Sequence, residues 1–133
     1  MKYYANEIYP VALVLSYDAE SVDREYYNAH DGEEQHISVR PTAESTTMFL
    51  SRRADYYAMA VGIIFNKKPT AKLATHEAFH AVVMMLDVGV HIPLNESTEE
   101  AYAYLIGWIA DCIDKFVKET DNYERKKRAV QGV

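Results

Sequence analysis

His76 and His80 lie one helical turn apart in the sequence HEAFH, and Glu77 directly follows the first histidine. Side chains at positions i and i+4 of a helix share one face and are roughly 6 Å apart. Two imidazoles at this spacing can bind one Zn²⁺ at ~2.0–2.1 Å from each ring nitrogen. Glu77 would then lie beside the metal, where a general base for a zinc-bound water belongs. The pattern predicts zinc ligands at both histidines and a catalytic base at Glu77.

The segment that carries these residues has the composition of a buried helix. Pro69 and Thr70 are typical of a helix start, and Gly89 suits the position just after a helix end. At 100° per residue, apolar side chains cover most of the helix surface and leave a narrow stripe for His76 and His80. Because buried polar groups need partners, we expect both histidines to face other protein or a cleft.

A catalytic zinc site uses three protein ligands and keeps a fourth position for water. The segment that follows the helix offers three carboxylates, Glu96, Glu99 and Glu100. On a helical wheel Glu100 shares a stripe with Tyr104, which favours it mildly as the third ligand. The other two glutamates stay open as alternatives, and the loop residue His91 is a further candidate for a ligand or an oxyanion donor.

The remaining elements are predicted from hydrophobic runs. The Val- and Leu-rich segment Tyr9–Tyr17 is typical of a strand. Two more runs, Thr46–Ser51 and Tyr56–Phe65, predict an antiparallel hairpin. A second helix is expected over 98–119, with Ser97 or Thr98 as its cap. Strands first and helices last predict an α+β fold, in which an N-terminal hairpin precedes two long packed helices.

The chain has 133 residues, and no repeat or linker divides it, so a single domain is expected. It would consist of a strand-rich part at 1–66, metal-site helices at 67–121 and a basic tail at 122–133. The net charge of −6 argues against nucleic acid as a partner. No feature of the sequence indicates an oligomeric state.

The N-terminal sequence MKYYANEIYP lacks the apolar core of a signal peptide, and no run reaches the ~18 apolar residues of a membrane span. We therefore expect a cytoplasmic protein without membrane contact. Cys112 is the single cysteine, which excludes an internal disulfide. It falls on the apolar face of the second predicted helix, so we expect it in the core.

A helical HExxH motif followed about twenty residues later by a glutamate at the start of a second helix resembles the gluzincin branch of the zincin metallopeptidases. The chain is also similar to small zincin-like proteins of phages and prophages, through HEAFHAV and EEAYAYLIGW. The resemblance covers residues 70–113, about a third of the chain. It implies a minimal zincin-like fold, a Zn²⁺ cofactor, Glu100 as third ligand, and a peptide or protein substrate bound along an edge strand within Tyr56–Phe65.

Tyr104 stands where this family has an aspartate that orients the first histidine. A tyrosine hydroxyl can accept a hydrogen bond from an imidazole N–H, although it orients the ring less strongly than a carboxylate. It can also donate to the oxyanion of a transition state. Tyr104 is therefore a second catalytic candidate, with both roles open.

Four functions fit these observations to different degrees. The resemblance implies a zinc metallopeptidase that hydrolyses peptide bonds. The small size suits a non-catalytic alternative, a phage-type assembly or interaction protein whose zinc joins two helices. A deformylase also uses HExxH but needs a cysteine upstream of the helix, whereas Cys112 lies downstream. An interaction domain without metal, built on the 11 tyrosines, is the last alternative.

Overall fold

A computed structural model of the protein describes residues 1–29, 35–55 and 59–132. The elements in these ranges, in chain order, are β1 (Lys2–Tyr4), β2 (Ala12–Ser16), α1 (Ala19–Glu25), β3 (Tyr26–Asn28), β4 (Ser45–Arg52), β5 (Met59–Phe65), α2 (Ala71–Val83) and α3 (Glu99–Val130). A π-helical segment, Met84–Gly89, continues directly from α2.

The five strands form one mixed sheet in the order β1-β2-β5-β4-β3. β2 and β5 are parallel, with Ala12 opposite Ala60, and the other neighbouring pairs are antiparallel. Parallel neighbours need a crossover between them, and here the chain passes through α1, β3 and β4 before it returns as β5. β5 is consequently the central strand of the sheet.

Helices cover both faces of the sheet, so two hydrophobic cores form. The larger core lies under α2 and α3, and the smaller core lies under α1. Successive side chains of β2 alternate between them, with Leu13 and Leu15 in the larger core and Val14 in the smaller. This is why all five residues of β2 are buried, a pattern typical of strands covered on both faces.

The predicted arrangement of the fold is wrong. The protein is α+β, but its strands are not an N-terminal hairpin that precedes two long helices. β4 and β5 do pair antiparallel, from Ser45 opposite Phe65 to Ser51 opposite Met59, yet they belong to a five-stranded sheet. A hairpin pattern is local, whereas the β2–β5 pairing joins distant segments, which no short sequence window reports.

α2 begins where the sequence predicts it, because the Thr70 hydroxyl accepts a hydrogen bond from the Leu73 N–H at 3.2 Å. The helical path continues through Gly89 rather than ending before it. A Cβ atom at Gly89 would lie 3.1 Å from Val11 Cγ2, which is tighter than most Cβ contacts. Glycine therefore accommodates the close approach of Val11, the residue before β2, and does not act as a helix stop.

α3 also differs from its predicted bounds. It begins at Glu99 and extends to Val130 instead of ending at Glu119, so the basic segment after Asn122 is helical. Asn95 organises the start, since its side-chain oxygen accepts hydrogen bonds from the N–H groups of Ser97 and Thr98. None of the helices in the described ranges combines the length and apolar character that crossing a membrane requires.

Candidate metal centre

The imidazoles of His76 and His80 lie side by side on the exposed surface of α2, with their Nε2 atoms 3.2 Å apart. Two ligands at ~2.0–2.1 Å from a tetrahedral zinc ion are ~3.3–3.4 Å apart. The observed separation is close to that value without any change of side-chain conformation. The histidine pair therefore fits two neighbouring positions of a zinc coordination sphere.

The orientation of the two rings is also compatible with two ligands of one zinc ion. Their centroids are 4.8 Å apart and their planes make an angle of 73°. A straight N–H···N hydrogen bond of this length would put the centroids roughly 5.5 Å apart, since each nitrogen lies about 1.1 Å from its centroid. The shorter separation shows that the two rings are not collinear along the N···N line, an arrangement that is compatible with two ligands of one ion.

The expected burial of the histidines is wrong. The side chain of His76 is 64% exposed, whereas that of Glu77 is 8% exposed. Phe79, expected on the apolar side, is 51% exposed. The core-facing side of α2 is narrower than the sequence indicates, because only one side packs on the sheet and on α3. The outward side is left to aromatic and imidazole rings.

Glu77 is a buried carboxylate at the junction of α2 and the sheet. Its Oε2 accepts a hydrogen bond from the hydroxyl of Thr47 on β4. Its Oε1 lies 3.8 Å from Nε2 of His76. One oxygen is thus held by the sheet while the other faces the histidine pair, which is where the sequence places a general base.

Side chains alternate between the two faces of the sheet along β4, and this alternation places Thr47 on the face toward α2. Met48 and Leu50 point into the smaller core, so Thr47 and Phe49 point to the opposite face, toward α2. The outer edge of β4 is paired with β3 only from Leu50 to Arg52. In the described part of the chain, the strand neighbour of Ser45 to Met48 is β5 alone.

Two depressions border this part of the surface, one lined by His76 and the other by Thr47. A polar cleft of about 460 Å³ is lined by Glu44, Ser45, Lys72, Leu73, His76 and Glu77 among others. At its rim, Lys67 forms a 2.7 Å ion pair with Glu44 and lowers the pKa of that carboxyl. A more apolar groove of about 590 Å³ lies between β4 and the π-helical segment, with Thr47, Phe49, Met84 and Val88 in its lining.

The third ligand is not brought to the histidines. Glu99 and Glu100 are exposed in the first turn of α3, and Glu96 is exposed in the loop before it. Across residues 1–29, 35–55 and 59–132, no three His, Cys, Asp or Glu side chains are grouped so as to hold a metal ion. The ligand role of Glu100 stays a prediction.

The other candidate residues lie as follows. Tyr104 is on α3 with 48% of its surface exposed, and none of the hydrogen bonds of the described residues links it to a histidine. His91 is exposed and has a φ of 58°, a left-handed conformation in the loop before α3. Cys112 is buried as expected, and burial raises its pKa to about 11, which suits a core residue.

The predicted substrate strand needs a correction. Its first three residues, 56–58, lie outside the described residues, and the remainder forms β5. β5 has strands on both sides, so its backbone is not available as an edge. The strand beside α2 with an edge unpaired by other described strands is β4, and sequence reasoning missed both this edge and Thr47.

Comparison of the chain with models of protein families, with curated proteins and with solved structures gives no match.

Proposed function

We propose that the protein is a zinc-dependent metallopeptidase with His76 and His80 as two of its metal ligands and Glu77 as its general base. The proposal is carried by one observation: two Nε2 atoms 3.2 Å apart, beside a buried carboxylate oxygen 3.8 Å from the first of them. Two imidazoles together with an adjacent base are the groups that metal-assisted hydrolysis requires.

Each residue of the site has a distinct role in this proposal. The bound zinc ion would supply positive charge that makes water more acidic and polarises a peptide carbonyl. Oε1 of Glu77 accepts the proton of the attacking water and delivers it to the leaving amine. His76 and His80 would hold the metal through Nε2, which would require that their Nδ1 atoms carry the ring protons.

The substrate is proposed to be an extended peptide that pairs with the outer edge of β4 between Thr46 and Met48, on either side of Thr47. Backbone pairing with a strand edge is a general mode of peptide recognition, because it satisfies main-chain groups in any sequence. This edge includes Thr47, which contacts Glu77, so a peptide seated there lies beside the base. The adjacent apolar groove would accept a hydrophobic side chain of the substrate.

Glu100 remains our proposed third ligand, with Glu99 and Glu96 as the alternatives. Carboxylate oxygens bind zinc at ~2.0–2.2 Å, so the residue that ligates must come within that distance of the ion. Replacing each glutamate singly by glutamine and measuring zinc affinity identifies it. The ligand variant should lose affinity while the other two retain it.

The test of the proposed function is Glu77→Gln in the purified, zinc-loaded chain. We expect bound zinc near the wild-type level and a loss of peptide hydrolysis of about 10²–10⁴-fold, since an amide does not accept the proton. Glu124→Gln, the same change at an exposed position on α3, should leave both quantities unchanged. Normal turnover by Glu77→Gln would end the assignment of the base.

A non-catalytic zinc protein is the second candidate. It is favoured by the small size of the chain, 133 residues, and by the 64% exposure of the His76 side chain. Such a protein would bind zinc and gain stability from it without hydrolysing peptides, because metal binding to the folded state raises its stability. Zinc-dependent stability without turnover over a broad peptide library would support this candidate.

A further inference from the structure

Thr47 is the residue that connects β4 to the buried carboxylate of α2. Its hydroxyl donates to Oε2 of Glu77, thirty residues further along the chain. No other hydrogen bond to the Glu77 carboxylate is found in the described residues, and its side chain is only 8% exposed. A buried carboxylate needs such a partner, since an unpaired charge is costly to remove from water.

Thr47 is itself firmly placed. It pairs with Ile63 of the central strand β5 and is flanked by Met48, which is buried in the smaller core. A β-branched side chain has few accessible χ1 rotamers, so the direction of its hydroxyl follows from the backbone. The position of the Thr47 hydroxyl is therefore set by β4 and does not depend on the contact with Glu77.

We propose that Thr47 is a positioning residue for the general base. By holding Oε2, it directs Oε1 toward His76, whereas an unanchored glutamate side chain would sample several rotamers. This inference rests on the proposed function, in which Oε1 is the atom that accepts the proton. Thr47 has no role as a metal ligand or reacting group.

Ser45 provides a matched control on the same strand. It is two residues from Thr47, so its side chain lies on the same face of the sheet, and it lines the same polar cleft as Glu77. Its Oγ is buried and makes no hydrogen bond to any of the described residues. Removing that hydroxyl therefore tests whether any hydroxyl change on this face affects the site.

The first experiment compares Thr47→Val, Thr47→Ser and Ser45→Ala in the zinc-loaded chain. Valine keeps the shape of threonine but cannot donate, so kcat should fall by about 10–100-fold, the usual effect of losing such a supporting contact. KM and zinc affinity should stay within about twofold of wild type, because the ligands and the strand edge are intact. Serine should restore most of kcat, and Ser45→Ala should leave it unchanged.

A second measurement tests the contact without catalysis. The unfolding constants of Thr47→Val, Glu77→Gln and the double variant are measured in urea and combined in a double-mutant cycle. If the hydroxyl holds the carboxylate, the double variant is less destabilised than the product of the single effects. This result stands even if the wild type hydrolyses no peptide, an outcome that removes the proposed function alone.

Any one of the following results would overturn the inference. One is a kcat of Thr47→Val within twofold of an active wild type. Another is an unfolding constant of the double variant equal to the product of the single changes, which would mean that the two side chains do not interact. Equal losses in Thr47→Val and Ser45→Ala would likewise assign the effect to packing rather than to positioning.

Discussion

Two clusters of histidine and carboxylate lie on opposite faces of the sheet and differ in how their polar atoms are used. On the α1 side, Asp23 is surrounded by donors from the protein. On the α2 side, Glu77 has one donor, and the nearby histidines His76 and His80 face solvent and each other. The two clusters contain similar residue types, so they differ mainly in the hydrogen-bond partners of their carboxylates.

Both carboxylate oxygens of Asp23 have partners in the protein. Asp23 Oδ1 accepts from the Ile37 N–H at 2.8 Å and from Arg53 Nη2 at 3.0 Å, while Oδ2 lies 3.2 Å from His36 Nδ1. The Arg53 guanidinium also stacks 3.9 Å above the ring of Tyr27. Such a cluster joins α1, the loop after β3 and the end of β4, and we interpret it as structural.

The α2 cluster leaves polar atoms directed outward. The two Nε2 atoms of the histidine pair lie 3.2 Å apart on the exposed side of α2, and Oε1 of Glu77 lies 3.8 Å from that of His76. The comparison teaches that a motif of titratable residues is a candidate site when its partners are incomplete. When the partners are complete, the same residues hold elements together.

The largest expected effect is a loss of zinc affinity, which we expect for a substitution in the α2 cluster but not for one in the Asp23 cluster. His76→Ala removes one of two converging ligands, and zinc affinity should fall by more than the ~10–100-fold typical of outer-shell changes. His36→Ala, the same substitution in the Asp23 cluster, should leave zinc affinity unchanged. Titration with a competing chelator measures both. Equal affinity of wild type and His76→Ala would show that the pair binds no metal.

Asp23→Ala should have the next largest effect, on stability. It leaves the Ile37 N–H and the partly buried Arg53 without their acceptor, which costs about 1–3 kcal/mol of unfolding free energy. Urea denaturation followed by circular dichroism measures the loss. Glu124→Ala, at an exposed acidic position on α3, is the control and should cost less. A loss below that of the control would contradict the structural role of Asp23.

The lowered pKa of the Asp23 carboxyl predicts that the stability of the protein depends on pH. The Ile37 N–H lowers the pKa of Asp23 most, and His36 and Arg53 lower it further against the opposing effect of burial. Because the folded-state pKa lies below the unfolded value of ~3.9, its stabilisation is present above that value and is lost as pH falls through the folded pKa. The stability difference between wild type and Asp23→Asn should therefore shrink below about pH 4. A constant difference from pH 7 to pH 3 would exclude this linkage.

Arg53→Lys should give the smallest effect of the series. Lysine keeps the charge but loses the second donor, because Arg53 Nε also donates to the backbone oxygen of Asp23 at 2.5 Å. Lysine also stacks less well on Tyr27, so we expect the free energy of unfolding to fall by about 0.5–1 kcal/mol. Urea denaturation measures it, and zinc affinity serves as the quantity that should not change.

Local features of the fold could be predicted from the sequence. Thr70 caps α2 because its hydroxyl oxygen reaches a free N–H of the first turn. The pairing of β4 with β5 follows from two adjacent hydrophobic runs. The i, i+4 spacing of His76 and His80 is also local, and the structure brings their nitrogens together as that spacing requires.

Non-local features could not be predicted in this way. The parallel contact between β2 and β5 depends on how the intervening chain folds over the sheet. The anchor of Glu77 on Thr47 depends on that same packing. One signal was available, however: Glu77 is rotated by 100° from His76 toward Ala81 and Ala74, so its burial could have been inferred from the wheel.

The distance along the chain between paired residues has a consequence for the order of folding. The two imidazoles depend on a single turn of α2, whereas the Glu77 anchor joins residues 30 apart and the β2–β5 ladder joins residues 48 apart, such as Ala12 and Ala60. Contacts of high sequence separation form slowly, because their loops must close first. We therefore expect a newly synthesised chain to bring its two imidazoles together before it anchors the carboxylate, so that formation of the sheet is the slower step.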